Sequence, residues 1–444
     1  MKVDVEILII ITVITVIILF IFFRMSKNSK EKMVYLFITL GLYVYSGYGI
    51  AYASVDNRFL IKYVIFIICI LLAFKVTVGE EKKGYYLVSS EDIDFSVGRE
   101  SGVIRIFAFL FIATLFVYLI TPRFRLQELV LPPIYNAIGI HARSANKNIV
   151  NRIADTINIA TRPFFHVYLQ QLAEKKKKKN YLILTALWIY LEYLQLGYLS
   201  RYQMMIYVLF VIFSFEILEF GEIVFSKKTK YILMITLVVS IPLLVAFVSF
   251  RTGKGFQVEG FLSSIEALLD GETYYPIYYE RIVNTKWNIS PITFLLWIIC
   301  LPIPSFIWRN KPYVDPSYAL TTNLYGFISK SDSNYYNSLP SMLGESMMIF
   351  GNQLFFFEAI IIGFFVGLYF RFLYRSKHLN VLTLYMTLML LTLGRGGATS
   401  YMSGLINGTI ILIVWVVIEK YYSKRNSLKK SNCVLSNNSS EDLR

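Results

Sequence analysis

The sequence predicts an all-α, polytopic integral membrane protein of about eleven transmembrane helices with a large external loop. Three observations carry that expectation. Of the 444 residues 56% are hydrophobic and only 16% charged, where a soluble chain carries about a quarter charged. Apolar runs of about 18 residues or more recur from end to end, each long enough to cross roughly 30 Å of hydrocarbon as a helix. These runs are apolar all round, whereas the helices of a soluble bundle show apolar stripes.

The expected spans follow in order. Four lie at about 5–23, 33–53, 59–78 and 103–120. The first is long for a signal-peptide core and has no basic stretch before it, so it is expected to be retained. A fifth, at about 150–172, holds Arg152, Asp155, Arg162, Pro163 and His166; it must face a polar interior or lie in the interface. Three more are expected at about 181–199, 203–220 and 231–250, and three after a long loop at about 346–370, 381–394 and 402–419. The chain thus divides into N-terminal helices (1–120), an external loop (121–149), central helices (150–250), a large external loop (251–345), C-terminal helices (346–420) and a polar tail (421–444) expected to be cytoplasmic and disordered.

Orientation follows from the basic links. Arg24 to Lys32 carries four positive residues in nine, and Lys175 to Lys179 is five lysines in a row. Lys227, Lys228 and Lys230, then Arg371, Arg375 and Lys377, and finally the tail add to the same side, which the positive-inside rule makes cytoplasmic. Within the large loop, about 292–308 is apolar but broken by Pro302 and Pro304. A full crossing there would invert everything downstream, so a re-entrant or interfacial segment is expected, with Trp297 and Trp308 at headgroup level.

Composition also excludes function classes. The net charge of +15 resides mainly in those short links and the tail, so it is a topology signal and no nucleic-acid partner is expected. Cys69, Cys300 and Cys433 form no disulfide or metal pattern, and His141, His166 and His378 have no ligand spacing, so no metal and no cofactor is expected. There is no phosphate-binding P-loop, no HExxH helix and no GxSxG elbow.

The unusual polar content lies at the expected external face. The turn LSRYQ carries Arg201; the exit FRTGKG carries Arg251 and Lys254 beside Gly253 and Gly255; the turn GRGGATSY carries Arg395. Each arginine alone could be an interfacial residue snorkelling to water. Together, on the side where positive-inside bias predicts few, they fit a phosphate site, because a guanidinium offers forked donors and a charge that does not titrate away. Glu345, in LPSMLGES, stands where the ninth span enters the outer leaflet. It is either a general base for a hydroxyl or a first-turn residue favoured by the helix dipole. Asp270, Glu272 and Glu280 are alternative bases, and the tyrosines around them, with Tyr335 and Tyr336, are sugar-stacking or interfacial aromatics. Glu192 is expected to be a buried partner for an arginine.

In their order along the chain, LSRYQ, FRTG, LPIPSFIWRNKP, LPSMLGES leading into MIFGNQLFFFEAIIIGFF, and GRGG resemble the Wzy-type O-antigen and capsular polysaccharide polymerases, the oligosaccharide repeat unit polymerases. The resemblance covers most of the chain after about Tyr181, and it departs from the family where a basic residue after the loop prolines reads Ser305. It implies a multi-pass glycosyltransferase of the bacterial cytoplasmic membrane, working at its outer face among membrane lipids. Undecaprenyl-pyrophosphate-linked oligosaccharides would be its substrates, and a flippase and a chain-length regulator its partners. Arg201, Arg251, Lys254 and Arg395 would bind substrate, with Glu345 as acid–base or positioning residue. An O-antigen ligase shares this architecture and differs in acceptor. A transporter or flippase would show internal repeats and mid-membrane charges; no repeat is found.

Overall fold

In a computed structural model, residues 5–26, 28–53, 57–79, 100–120, 149–196, 201–223, 278–301, 310–326, 338–374 and 377–441 are described, with a few single positions between them. All regular structure among these residues is helical, with no strand. Six helices are long and apolar enough to cross a membrane: Val5–Met25, Ser29–Ala51, Arg58–Val78, Gly102–Ile120, Phe356–Tyr374 and Asn380–Met402. Helix α1 (Val5–Met25) buries Ile11, Thr15, Ile18 and Phe22 while Ile9, Val13, Val16 and Phe20 stand exposed. A contiguous exposed apolar face of that kind belongs against hydrocarbon, not water.

Helix α2 (Ser29–Leu42) is capped by Asn28, whose side chain accepts from the Lys30 amide at 2.9 Å. It passes through a π-turn, Tyr43–Gly47, into α3 (Tyr48–Ala53). Helix α4 (Asn57–Val78) packs against α13 (Phe356–Tyr374) at the GFFVG stretch of the latter. A Cβ on Gly363 would fall 2.5 Å from the Ile70 carbonyl oxygen, and one on Gly367 would fall 2.6 Å from Thr77 Cβ. This is the small-xxx-small contact through which membrane helices approach backbone to backbone. A second such crossing joins α2 to the last helix, where a Cβ on Gly394 would meet Gly41 at 2.4 Å.

Helix α5 (Glu100–Ile120) lies along α6 (Ile149–Glu174), with Phe107 stacked on Phe164 and Phe111 on Phe165 at 4.3 and 4.8 Å. In α6 the polar residues Asp155, Asn158, Arg162, His166 and Gln170 recur at helical spacing, and all but Arg162 are buried. That polar stripe turns inward, which decides for the polar interior over the interface. Helices α7 (Lys178–Leu196) and α8 (Arg201–Phe220) complete the central group.

In the large loop the described parts are short helices α9 (Tyr279–Asn284), α10 (Pro291–Cys300) and α11 (Pro316–Tyr325). The α11 start is fixed by Asp315, whose carboxylate accepts from the Tyr318 amide at 3.0 Å, and by Pro316. Helix α10 is only ten residues, about 15 Å, half a hydrocarbon thickness. Trp297 is 5% exposed and stacked on Phe294; the apolar face of α10 is used against the protein.

Two expectations about the C-terminal part need correction. The span expected over about 346–370 divides at Gly351 (φ 79°, ψ 177°) into α12 (Ser341–Leu354) and α13. The polar triplet Gly351-Asn352-Gln353 interrupts the apolar run there, and α12 up to Ile349 is wholly buried. The tail expected to be disordered continues the helix α14 (Asn380–Glu441); no Gly or Pro after Gly408 breaks it.

Helix α14 itself is two helices meeting at Gly397 (φ 74°, ψ −173°). The Tyr401 hydroxyl reaches the Met386 carbonyl at 3.3 Å, although fifteen residues of straight helix would separate these positions by about 22 Å. The chain therefore folds back at Gly397, where the sequence places a turn. At the other end of this hairpin the links meet in one rim. Lys30 donates to Asn380 at 2.7 Å, Asn380 to the Gly221 carbonyl at 2.8 Å, and Lys75 pairs with Glu31 at 3.3 Å. Glu174 meets His378 there at 2.9 Å.

Candidate functional site

The far end of the hairpin, about 25 Å from Asn380 by helical rise, is built from four elements. Proline 340 ends the preceding chain and Ser341 opens α12 at φ 59°, a strained backbone for a residue with a side chain. The Ser341 hydroxyl is 2.9 Å from that of Ser46, which lies in the π-turn of the second helix. One turn further along α12, Glu345 reaches the break in α14. Its Oε1 accepts from the Thr399 amide at 3.0 Å and its Oε2 from the Thr399 hydroxyl at 2.9 Å.

Gly397 makes this possible. A Cβ at that position would lie 1.8 Å from Glu345 Oε2, and its backbone falls in a region essentially reserved for glycine. The last glycine of GRGG is thus required twice over. Glu358, from the first turn of α13, brings its carboxyl against that of Glu345. Two carboxylates offer each other only lone pairs, so this contact becomes a hydrogen bond when one of them carries a proton. Both side chains are 0% exposed. Beside them, the Ser346 hydroxyl donates to the Phe355 carbonyl across the Gly351 break.

Arg395 stands two residues before Gly397 and is half-buried. Arg201 is the first residue of α8, and its side chain lies outside the described residues. Arg251 and Lys254 lie outside them too, as do the eighth expected span, the loop at 121–148, Asp270, Glu272, Tyr335, Tyr336 and Ser305. Glu280 is exposed on α9, and the Tyr278 hydroxyl pairs with that of Tyr325 at 2.8 Å.

Residues flanking two of the predicted arginines nevertheless meet. Gln203, two positions after Arg201, lines a cavity of about 270 Å³ together with Thr392 and Tyr401, which bracket Arg395. Its floor comes from the polar stripe of α6. Arg162 sits 2.8 Å from Glu192, a close but poorly aligned ion pair. The guanidinium also donates to the Tyr385 hydroxyl at 3.1 Å and to Gln195 at 3.0 Å, and Asn158 donates to the same Gln195 oxygen at 2.7 Å. Glu192 is therefore the buried partner of an arginine, as its place in an apolar run implies.

Sequence reasoning flagged Arg162 and His166 only as residues needing a polar interior. The signal for more was the recurrence 155, 158, 162, 166, 170, which marks one inward face. The structural role of Glu358 left no such signal, because it follows an unbroken aromatic run. Among the described residues no three His, Cys, Asp or Glu side chains gather as metal ligands.

Neither family models nor the curated proteins nor the solved structures provide a match to this chain.

Proposed function

We propose that this protein joins lipid-linked oligosaccharide repeat units into a cell-surface polysaccharide, as a membrane-embedded glycosyltransferase with a polyprenyl pyrophosphate donor. The observation that supports this best is the common cavity. It is bordered by the start of α8, which carries Arg201, and by the fold-back of α14, which carries Arg395. Two arginines far apart in sequence thus stand on elements that border one chamber. A pyrophosphate leaving group needs fixed positive donors as its bond to the sugar breaks, and guanidinium groups supply them.

Eleven crossings complete the reading. They comprise the six apolar helices, with the α14 hairpin counted as two limbs, together with α6, α7, α8 and a segment near 231–250. The rim holding Lys30, Lys75 and His378 is cytoplasmic because the basic links converge there. The Gly397 fold-back and the chamber then face outward, where newly flipped repeat units arrive. Glu345 is best suited to positioning. Both oxygens of its carboxyl accept from Thr399, and it fixes the turn that presents Arg395.

Replacing Arg395 or Arg251 by Ala in the native cell tests this. Polymer is expected to vanish while protein level and single-repeat surface material remain. Normal chain lengths in both variants would remove these arginines from the mechanism.

A further inference from the structure

We infer that the chamber beneath Arg395 holds one uncharged, hydroxyl-bearing sugar ring, bound by His166, Gln195, Gln203 and Tyr385, and does not hold the pyrophosphate. The inference rests on the proposed function for why a sugar should arrive, but not for the binding itself.

Charge comes first. Among the described lining residues Arg162 is the one Lys or Arg, and Glu192 lies 2.8 Å from it. Its two terminal nitrogens are already engaged by Tyr385 and Gln195. A dianion entering here would find a cation already matched and a carboxylate nearby, at a desolvation cost with nothing to offset it.

Hydrogen-bond polarity points the same way. His166 is 0% exposed, and its Nδ1 lies 2.9 Å from the Arg162 carbonyl. A carbonyl can only accept, so Nδ1 carries the hydrogen and Nε2 is left as a lone pair. That Nε2 is buried and has no partner among the described residues. A phosphate oxygen would meet it lone pair to lone pair, whereas a hydroxyl group can donate to it. Tyr385 accepts from Arg162 and so keeps its own proton to give. Its ring is stacked on His166 at 4.5 Å, which fixes both planes.

Size is the third constraint. About 270 Å³ is just below the roughly 300–1,000 Å³ typical of small-molecule sites, room for a single ring and not an oligosaccharide. The lining is mainly apolar, with Tyr207, Tyr385 and Tyr401 for the faces of a pyranose and His166, Gln195 and Gln203 for its hydroxyls.

Gly404 supplies a clean test. It borders the chamber, and a Cβ there would meet nothing within 4 Å, so Gly404→Leu places a side chain in the opening without a clash. The measurement is intrinsic fluorescence of the purified full chain in detergent, titrated separately with D-glucose, D-galactose, N-acetyl-D-glucosamine and inorganic pyrophosphate. Trp188, whose ring is 5.3 Å from His166, is the reporter. At least one sugar is expected to give a saturable change that is lost in Trp188→Phe. Gly404→Leu, unchanged in elution and melting, and Gln203→Leu should each weaken it about tenfold or more. Absence of saturation by every sugar up to tens of millimolar overturns the inference. So does saturation by pyrophosphate alone, or unaltered sugar binding in Gly404→Leu. Sugar binding with normal polymer in Arg395→Ala cells would instead leave the pocket standing and remove Arg395 from the proposed mechanism.

Discussion

Replacing Gly397 by Ala probes the junction of α12 and α14 at its tightest point. Two costs add. The backbone at φ 74°, ψ −173° is one that a residue with a Cβ adopts only at about 1–3 kcal/mol. The new Cβ would also stand 1.8 Å from Glu345 Oε2, so the carboxyl must leave Thr399. Each of its two buried hydrogen bonds is worth about 1–3 kcal/mol when a partner is stranded. The total, roughly 3–9 kcal/mol, is at the extreme of single-site effects. Gly351→Ala is the matched control: the backbone is similar (φ 79°), but a Cβ there meets nothing within 4 Å, so only the first cost, about 1–3 kcal/mol, applies. Unfolding of the purified variants in detergent, followed by tryptophan fluorescence, should rank Gly397→Ala well below Gly351→Ala. In a Glu345→Ala background the Gly397→Ala penalty should shrink to the backbone share, a coupling of about 2 kcal/mol or more. Equal damage by the two glycine variants, or strict additivity with Glu345→Ala, would refute the reasoning.

Other perturbations follow from the same geometry. Gly363→Leu should abolish folded protein, because even a Cβ falls 2.5 Å from the Ile70 carbonyl, while Gly102→Leu, with nothing within 4 Å, should leave expression and melting unchanged. Glu192→Gln strands the buried Arg162 charge and should cost about 3–5 kcal/mol, part of which Arg162→Met in the same chain should restore; a thermal scan of both variants decides. At the opposite rim, burial pushes the Glu174 carboxyl up, but hydrogen bonds from His378 and Gln170 and the charges of His378 and Lys175 outweigh it and hold it below the usual glutamate range. Its folded value is depressed, so the stabilisation is fully present above the unfolded value and disappears as pH falls through the folded one. The pair is about a third exposed, so His378→Ala should cost at most about 1 kcal/mol, and an acid titration of melting temperature should show the difference from wild type vanish at the acid end.

Much of this architecture was legible because lipid imposes strong rules on sequence. The apolar runs at 5–23, 59–78 and 103–120 became helices within a few residues of their expected bounds, since nothing but a helix satisfies a backbone in hydrocarbon. The turn at GRGG was readable because three glycines and an arginine interrupt an apolar run, and the Glu192 partner because a lone carboxylate there needs a cation. The division of α12 from α13 was not. Gly351-Asn352-Gln353 is a short polar dent between two strongly apolar stretches, and only the φ of Gly351 shows that the chain bends there. The meeting of Glu345 with Thr399 and Glu358 was equally silent, because it joins residues 54 and 13 positions apart through tertiary packing. The paired glycines at 41 and 394 show the same limit: each is unremarkable in its own helix, and their close approach exists only once the helices cross.

The proposed function stands or falls on whether chains grow in a minimal system. Purified protein in liposomes with a polyprenyl-pyrophosphate-linked repeat unit, and no nucleotide sugar, should yield a ladder of joined repeats with one polyprenyl pyrophosphate released per linkage. Arg395→Ala should yield none. Recovery of only single repeat units would contradict a polymerase, and their passage across the bilayer would put a transporter in its place.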